Sequence, residues 1–461
     1  MQSWTSSGRR QCPSLLARLG ALLVLLPLLA PLSAHARPAT GTAAPATFFV
    51  SPSGADNATG TKVAPWRTIT HAQSVAQAGD TVYLRGGRYA FDVATKPCAS
   101  RTDLVAGVVL NKSGQEGRPI RYWAYPGEKP VLDFALIKDD CRVKGVEVRA
   151  DWVHLKGLEI TGAPQQPGNH ENHESWGVWI KASHGVYEQL DVHSNMGTGL
   201  FIQGGSYNTV VNSDSHGNYD PYSSNGAGQN ADGFGAHVGT GSPGNVFRGC
   251  RAWDNSDDGF DLINSYSPVT IESSWAWNQG YLPGTRTPVV QGNGNGIKAG
   301  GYDARYVSNA VRHSVRLCVA FDNKSAGFYA NHHPMANEFF GNTAFGNGVD
   351  FDMTVITPTG EEDVQGILRN NLSMSPRNKL KIAGTDSGSS SNSWERGRGV
   401  PSETDFVDTS HRGWDAPRQA DGSLPHLLHY RLRPNSPLVD AGIDVGLPYH
   451  GKAPDLGAFE S

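Results

Sequence analysis

Cys250-Arg251-Ala252-Trp253-Asp254-Asn255 returns as Ser274-Trp275-Ala276-Trp277-Asn278, as Cys318-Val319-Ala320-Phe321-Asp322-Asn323 and as Asn342-Thr343-Ala344-Phe345-Gly346-Asn347. The alanines lie 24, 44 and 24 residues apart. The longer interval is one coil with an insertion, or two coils. Asp191-Val192-His193-Ser194-Asn195 and Asp214-Ser215-His216-Gly217-Asn218 are weaker copies, 23 apart. A fixed short period marks a solenoid. A second signature runs in parallel, in the order glycine, apolar, variable, apolar. It reads Gly199-Leu200-Phe201-Ile202, Gly233-Phe234-Gly235-Ala236, Gly259-Phe260-Asp261-Leu262, Gly296-Ile297-Lys298-Ala299 and Gly327-Phe328-Tyr329-Ala330. Such alternation is a short strand with one buried face. The period is too short for a propeller blade and lacks the leucine-rich consensus. It suits an all-β parallel β-helix whose coils stack about 4.8 Å apart. In that register the recurrent Asn residues form a ladder in the turns, and the Ala-aromatic positions stack inside.

The flanks fit the same architecture. Arg9, Arg10 and Arg18 precede an apolar run over 19–32, and Ala34-His35-Ala36 fits a small-x-small cleavage site. Residues 1–36 are expected to be a secretory signal peptide. About 425 residues remain, which suits one elongated domain over 37–461. Phe48-Phe49-Val50 opens a strand. Thr68 to Ala78 is expected to be a short amphipathic capping helix, with Ile69, Ala72, Val75 and Ala76 on one face. Thr81-Val82-Tyr83-Leu84 follows as a strand. Residues 385–425, rich in Ser, Gly, Asp and Arg, read as loops or a tail folding back. Leu432 to Gly442 and Asp455 to Phe459 resemble terminal strands of secreted β-helix carbohydrate enzymes.

The chain carries a net charge of −4 and no basic block, which argues against nucleic acid as a partner. No segment after the leader could span a bilayer. A secreted monomer, extracellular or periplasmic, is expected. Cys98 and Cys141 flank a loop-rich stretch and can pair in an oxidising compartment. Cys250 and Cys318 share a repeat position at least two coils apart. That separates them by roughly 10 Å or more, so both are expected to be buried thiols.

The same register gathers charge. Asp232 precedes Gly233 as Asp258 precedes Gly259, so these two carboxylates stack on adjacent coils. The outward row of the Gly-apolar-x-apolar strands reads Phe201, Gly235, Asp261, Lys298, Tyr329. Four acids, Asp232, Asp257, Asp258 and Asp261, therefore converge, with Lys298 on the neighbouring coil. Single Asp and Asn residues are ordinary turn formers. Stacked carboxylates repel, however, unless a proton or a cation sits between them. Hard oxygen ligands of this kind suit Ca2+. Calcium bound to a substrate carboxylate acidifies the adjacent C–H, and a neutral lysine amine can take that proton. Uronic acid polymers present a C6 carboxylate, a C5 hydrogen and an O4 linkage in this arrangement.

Asn-Ala-Asp-Gly-Phe at 230–234, Asn-Ser-Asp-Asp-Gly-Phe-Asp-Leu at 255–262 and Gly-Asn-Gly-Ile-Lys at 294–298 resemble the site motifs of the family nine polysaccharide lyases. The resemblance runs from the Phe48 strand to the end of the chain. It implies a right-handed parallel β-helix pectate lyase. It matches Asp232, Asp257, Asp258 and Asp261 to calcium ligands and Lys298 to the catalytic base. It also implies polygalacturonate as substrate, cleaved by β-elimination to 4,5-unsaturated products, although some members act on rhamnogalacturonan.

Two other readings fit the residues less well. β-Helix polygalacturonases share an Asn-x-Asp, an Asp-Asp pair and an Ile-Lys in that order. They also require Gly-His-Gly after the Asp pair and an arginine before Ile-Lys, and both are missing here. An adhesin with structural calcium gives no reason for a lysine in register with the acids. Asn169-His170-Glu171-Asn172-His173-Glu174 lacks the His-Glu-x-x-His spacing of a zinc site and reads as a solvated loop. Arg305, Arg312, Arg316 and Lys324 follow the site, where they can meet further uronate carboxylates. Tyr329 can stack on a sugar ring or pack under a loop.

Overall fold

The computed structural model describes residues 44–461, apart from 101, 168–173, 225, 304–308, 354–365, 375–378, 384, 387 and 396–399. The expected leader and the Asn169–His173 loop thus lie outside the described residues. Residues 45–461 form one compact unit. No described helix is long and apolar enough to cross a membrane.

Three parallel sheets, of 11, 10 and 10 strands, run the length of this unit. Each successive strand of a sheet comes from the next coil of the chain, as a parallel β-helix requires. The first sheet runs from Thr47–Val50 to Gly366–Arg369, the second from Leu104–Leu110 to Leu380–Lys381, and the third from Gly87–Ala90 to Leu372–Ser373. The strand Trp275–Trp277 pairs directly with Val319–Phe321, so the 44-residue interval is one coil with insertions.

Sharp corners separate the first and third sheets. One residue per coil turns them in the left-handed region, among them Gln189, Asn212, Gly249, Ser273, Leu317 and Gly341. A bulky residue such as Leu317 at φ 54° is strained on its own. It persists because ladder hydrogen bonds on both sides fix the corner.

Between the third and second sheets runs the expected amide ladder. Asn195 donates to Asn218, Asn218 to Asn255, and Asn323 to Asn347, at 2.8–3.1 Å. In the middle coil the rung is Gln279, whose Oε1 accepts from the Asn255 amide at 3.1 Å. Asn278, which stands in the repeat by residue type, is one position early and bonds Asp254 instead. The ladder explains the recurrent glycine. A Cβ on Gly259 would lie 2.5 Å from the Gly296 oxygen and 3.0 Å from Gln279 Nε2.

The core alternates as period two dictates. Ala252, Ala276, Ala320 and Ala344 are fully buried inside the helix. Their aromatic neighbours point the other way, contrary to the expectation that both stack inside. Trp253, Trp277, Phe321 and Phe345 form an outer ladder of near-parallel rings, 4.7–5.7 Å apart. The C-terminal segment folds back over that ladder. Tyr430 stacks on Phe345 at 3.6 Å and Trp414 meets Trp275 at 4.7 Å. Leu432–Gly442 and Asp455–Phe459 contribute buried Leu438 and Leu456 to this cover, with no strand of their own beyond the isolated Phe406–Leu432 bridge.

The helix spans Ile69–Val75, shorter than the expected Thr68–Ala78, with Thr68 Oγ1 accepting from the His71 amide as N-cap. Ile69, Ala72 and Ala76 are buried, whereas Val75 is exposed, the side opposite to that expected. Cys98 and Cys141 are bonded. Cys250 and Cys318 are free and buried, as their register implied.

Candidate functional site

The second sheet builds the site. Its outward row pairs Phe201 with Gly235, Gly235 with Asp261, Asp261 with Lys298, and Lys298 with Tyr329. This is the row read from the sequence. Asp232 lies three residues before Gly235, and its Oδ1 accepts from the Asp258 amide at 3.1 Å. Asp232, Asp258 and Asp261 each offer an oxygen within 4.8 Å of the others. Asp257 lies outside that tight group. It lines the same cleft, with Oδ1 accepting from the Asn293 amide at 2.6 Å.

All five side chains are buried: Asp232, Asp257, Asp258, Asp261 and Lys298 are between 0 and 6 % exposed. Local bonds aim each one. Thr198 Oγ1 donates to Asp232 Oδ2 at 3.2 Å. The Asn295 amide and side chain both donate to Asp258 Oδ1, at 2.7 and 2.9 Å. The Ile263 amide donates to Asp261 Oδ1 at 2.7 Å. Lys298 Nζ sits 3.0 Å from Asp261 Oδ2 and 3.3 Å from Asp258 Oδ2. The Asp258 Oδ2 atom is buried and receives no hydrogen bond of good geometry.

Four nearly buried carboxylates thus face one ammonium at the floor of the cleft. Burial, with the charges of Asp261 and Asp258 added, pushes Asp232 well above the usual carboxylate range. Burial and the neighbouring Asp258 and Asp232 do the same to Asp257, and burial raises Asp258. Burial opposes the Lys298 ammonium, but the four carboxylates outweigh it and hold the amine well above its ordinary value. This excess of buried negative charge calls for a cation, and three carboxylates with oxygens within 4.8 Å of one another fit a hard divalent ion.

Of the flanking cations considered, Arg312 pairs with Glu338 and Arg316 with Glu272. Arg305 lies outside the described residues. Lys324 reaches under the insertion and donates to the Val289 and Gly292 carbonyls, at 2.5 and 2.7 Å. Tyr329 bonds His332 at 3.1 Å and lines a second cleft beyond Lys298. Glu174, from the segment read as a solvated loop, pairs with Arg142 at 2.9 Å.

The sequence did not single out the other flank of the cleft. Trp176, Trp179 and Phe201 cluster there with Leu104. Beneath them Lys144 pairs with Glu147 at 2.7 Å and lies 3.5 Å from the centre of the Trp179 ring. The signal was present, since Glu147, Trp179 and Phe201 occupy consecutive places in the row of Asp261.

Residues 48–371 match the family described as Pel9A-like, right handed beta helix region. Pectate lyase L of Dickeya chrysanthemi is 37 % identical over 418 residues, covering 90 % of each chain. Pectate lyase PEL9 of Emericella nidulans is 34 % identical, covering 68 % of this chain and 77 % of its own. Among solved structures, pectate lyase Pel9A superposes with a TM-score of 0.74 at 34 % identity, covering 91 % of this chain and 97 % of that one. A rhamnogalacturonan lyase superposes with a TM-score of 0.76 at 35 % identity, covering 84 % and 96 %. The coil is therefore right-handed, and the chain belongs to the Pel9A-like β-helix family.

Proposed function

We propose that this protein is a calcium-dependent pectate lyase that cleaves polygalacturonate by β-elimination. Asp232, Asp257, Asp258 and Asp261 are the metal ligands in this reading, and Lys298 is the base. The carrying observation is one juxtaposition: Lys298 Nζ lies 3.0 Å from Asp261 Oδ2, one coil beyond a three-carboxylate cluster. A calcium ion held there supplies positive charge for the C6 carboxylate of the substrate and offsets the carboxylate charge on Lys298. Lys298 Nζ takes the C5 hydrogen as a proton. The C–H electron pair becomes the C4=C5 double bond, the C4–O4 bond breaks, and the departing O4 takes a proton from the Lys298 ammonium or from water, which returns Lys298 to its neutral form. Each cut yields one 4,5-unsaturated end and one new reducing end, without water being consumed.

The pectate lyases among its relatives support the polymer class, and the buried carboxylates support a hard cation. Secretion as a monomer after removal of residues 1–36, leaving one catalytic domain over 37–461, completes the reading. The test is ultraviolet absorbance of unsaturated ends from polygalacturonate. Absorbance should rise in calcium, vanish with chelator and be lost in Lys298→Ala. Reducing ends that form without absorbance would point to hydrolysis and sink the proposal.

A further inference from the structure

Between Trp277 and Ile297 the chain leaves the coil as a strap over 280–294, and one side chain ties both its feet and its return. Gly280 and Gly294 meet at the feet, at φ 82° and 76°. A Cβ on Gly280 would lie 2.7 Å from Gly294 Cα and 2.8 Å from Lys324 Cβ, and one on Gly294 would lie 2.9 Å from Lys324 Cβ. The feet thus close on the stem of Lys324, an approach that glycine alone permits. Backbone bonds fix it: the Lys324 amide donates to the Gln279 carbonyl at 3.1 Å, and the Ser325 amide to the Gly294 carbonyl at 2.9 Å. From this base Lys324 Nζ reaches the Val289 and Gly292 carbonyls, at 2.5 and 2.7 Å.

The other face of the strap rests on the carboxylate turn. A Cβ on Gly292 would lie 1.8 Å from the Ser256 carbonyl oxygen, so the strap lies flat on the residue before Asp257. The Asn293 amide donates to Asp257 Oδ1 at 2.6 Å, and Asn295 donates twice to Asp258 Oδ1. Ser325 Oγ holds the Asn293 carbonyl. Asn293 lines both clefts, so the strap is part of the wall between them. Burial lowers the proton affinity of Lys324, while the charges of Asp257 and Asp258 pull it upward. Its ammonium is therefore close enough to two of the acids to repel a cation placed there. Charge alone makes Lys324 unfavourable for calcium, whereas the strap it secures makes it favourable.

We propose that Lys324 is a positioning residue for the metal site: it pins the 280–294 strap so that the Asn293 and Asn295 donors keep Asp257 and Asp258 oriented for calcium. This rests on the ligand set proposed above and adds a residue that acts on it through the strap.

The two effects have opposite signs, so calcium affinity separates them. Lys324→Met keeps the stem under Gly280 and Gly294 but removes the charge and both bonds to the strap. Calorimetry with calcium should give a Kd about tenfold weaker than wild type, the usual scale for a residue behind a metal ligand. Lys324→Arg keeps a charged donor and should recover part of that loss. Lys381→Met removes a cation of the same cleft that pairs with Asp352 instead, and should leave the Kd unchanged. Melting temperature should fall more in calcium than in chelator for Lys324→Met. An unchanged or tighter Kd, or an equal fall in both conditions, would overturn the inference. If Lys324→Met does not fold, Lys324→Gln, one atom shorter in reach than lysine, carries the same comparison. Absence of unsaturated ends from polygalacturonate would sink the lyase reading and leave the difference in affinity standing. A wild type that takes up no calcium would overturn the ligand set and this inference together.

Discussion

Two lysines lie buried on the same sheet, and they teach opposite lessons. Lys144 and Lys298 are 2 and 6 % exposed. Lys144 has one carboxylate partner, Glu147, whose other oxygen is held by Arg149 at 2.9 Å. Its charge is balanced, and burial lowers its proton affinity. Lys298 faces four carboxylates and its proton affinity is raised by them. Burial is common to both, so burial does not mark the functional residue. What separates them is the local charge balance: paired beside Trp179, in excess beside Asp258. A neutral cluster is complete without a ligand, whereas an excess of buried negative charge requires one.

The largest expected effect follows from that contrast. Lys298→Ala should lower kcat on polygalacturonate by about 10³-fold, the usual worth of a positioned base, with the melting temperature little changed in calcium. Lys144→Met should do the reverse. It strands Glu147 with only half its partners and costs about 3 kcal/mol of stability, while turnover stays near wild type. A turnover loss in Lys144→Met as large as that in Lys298→Ala would erase the distinction. Steady-state kinetics with thermal melts on both variants reads it out.

Metal removal sharpens the same contrast. Chelator should abolish turnover and lower the melting temperature. At a hundredfold excess of calcium over its Kd, binding contributes about 2.7 kcal/mol of stability. The pH dependence has a defined sign. Asp232, Asp257 and Asp258 have raised proton affinity in the folded, metal-free protein. Above about pH 4, where free Asp ionises, the folded state therefore binds more protons than the unfolded one. Stability of the metal-free protein should fall as pH rises from there, and the increment given by calcium should grow with pH. Asp232→Asn should flatten this dependence, whereas Glu147→Gln should leave it in place. Melts in chelator and in calcium between pH 5 and 8 test it, and a metal-free protein more stable at pH 8 than at pH 5 would contradict it.

Turnover has its own, smaller pH signature. Lys298 must be neutral to take a proton, and the surrounding carboxylates raise its proton affinity. In saturating calcium the rate should rise about tenfold per pH unit on the acid limb and peak on the alkaline side. An optimum near pH 5 would exclude Lys298 as base.

The acidic half of this comparison was legible in the sequence, and the balanced half was not. Asp261 and Lys298 sit in copies of one Gly-apolar-x-apolar strand, Asp232 and Asp258 stand just before its glycine, and parallel pairing carries each copy onto the next without slippage. Glu147 and Trp179 hold the variable place of the same signature, Gly145-Val146-Glu147-Val148 and Gly177-Val178-Trp179-Ile180 in the strands Arg142–Val148 and Ser175–Lys181, but no cluster of like charges marks those copies. The Trp253–Phe345 ladder was misplaced for a different reason. Period two sends the neighbour of an inward alanine outward, yet aromatics prefer burial. The conflict is resolved only by Trp414 and Tyr430, which arrive from far along the chain. Gln279 took the rung expected of Asn278 because a turn position, rather than residue type, selects the ladder.

The smallest effect isolates the meaning of balance. If Lys144 and Glu147 serve only each other, removing both should cost far less than removing either. A Lys144→Met, Glu147→Met double variant trades a buried ion pair for apolar volume, an exchange that is often close to neutral. Arg149 loses a partner but is more than half exposed, so water replaces the bond. The double variant should recover most of the stability lost in Lys144→Met and lie within about 1 kcal/mol of wild type. The matching exchange at the site, Lys298→Met with Asp261→Asn, has no such recovery available, because Asp232, Asp257 and Asp258 stay uncompensated. A double-mutant cycle from denaturant melts in chelator measures both couplings. Strong recovery at Lys144 alone would show that the two lysines differ in charge balance and not in depth. Equal recovery at both would mean that Lys298, too, is held by one partner.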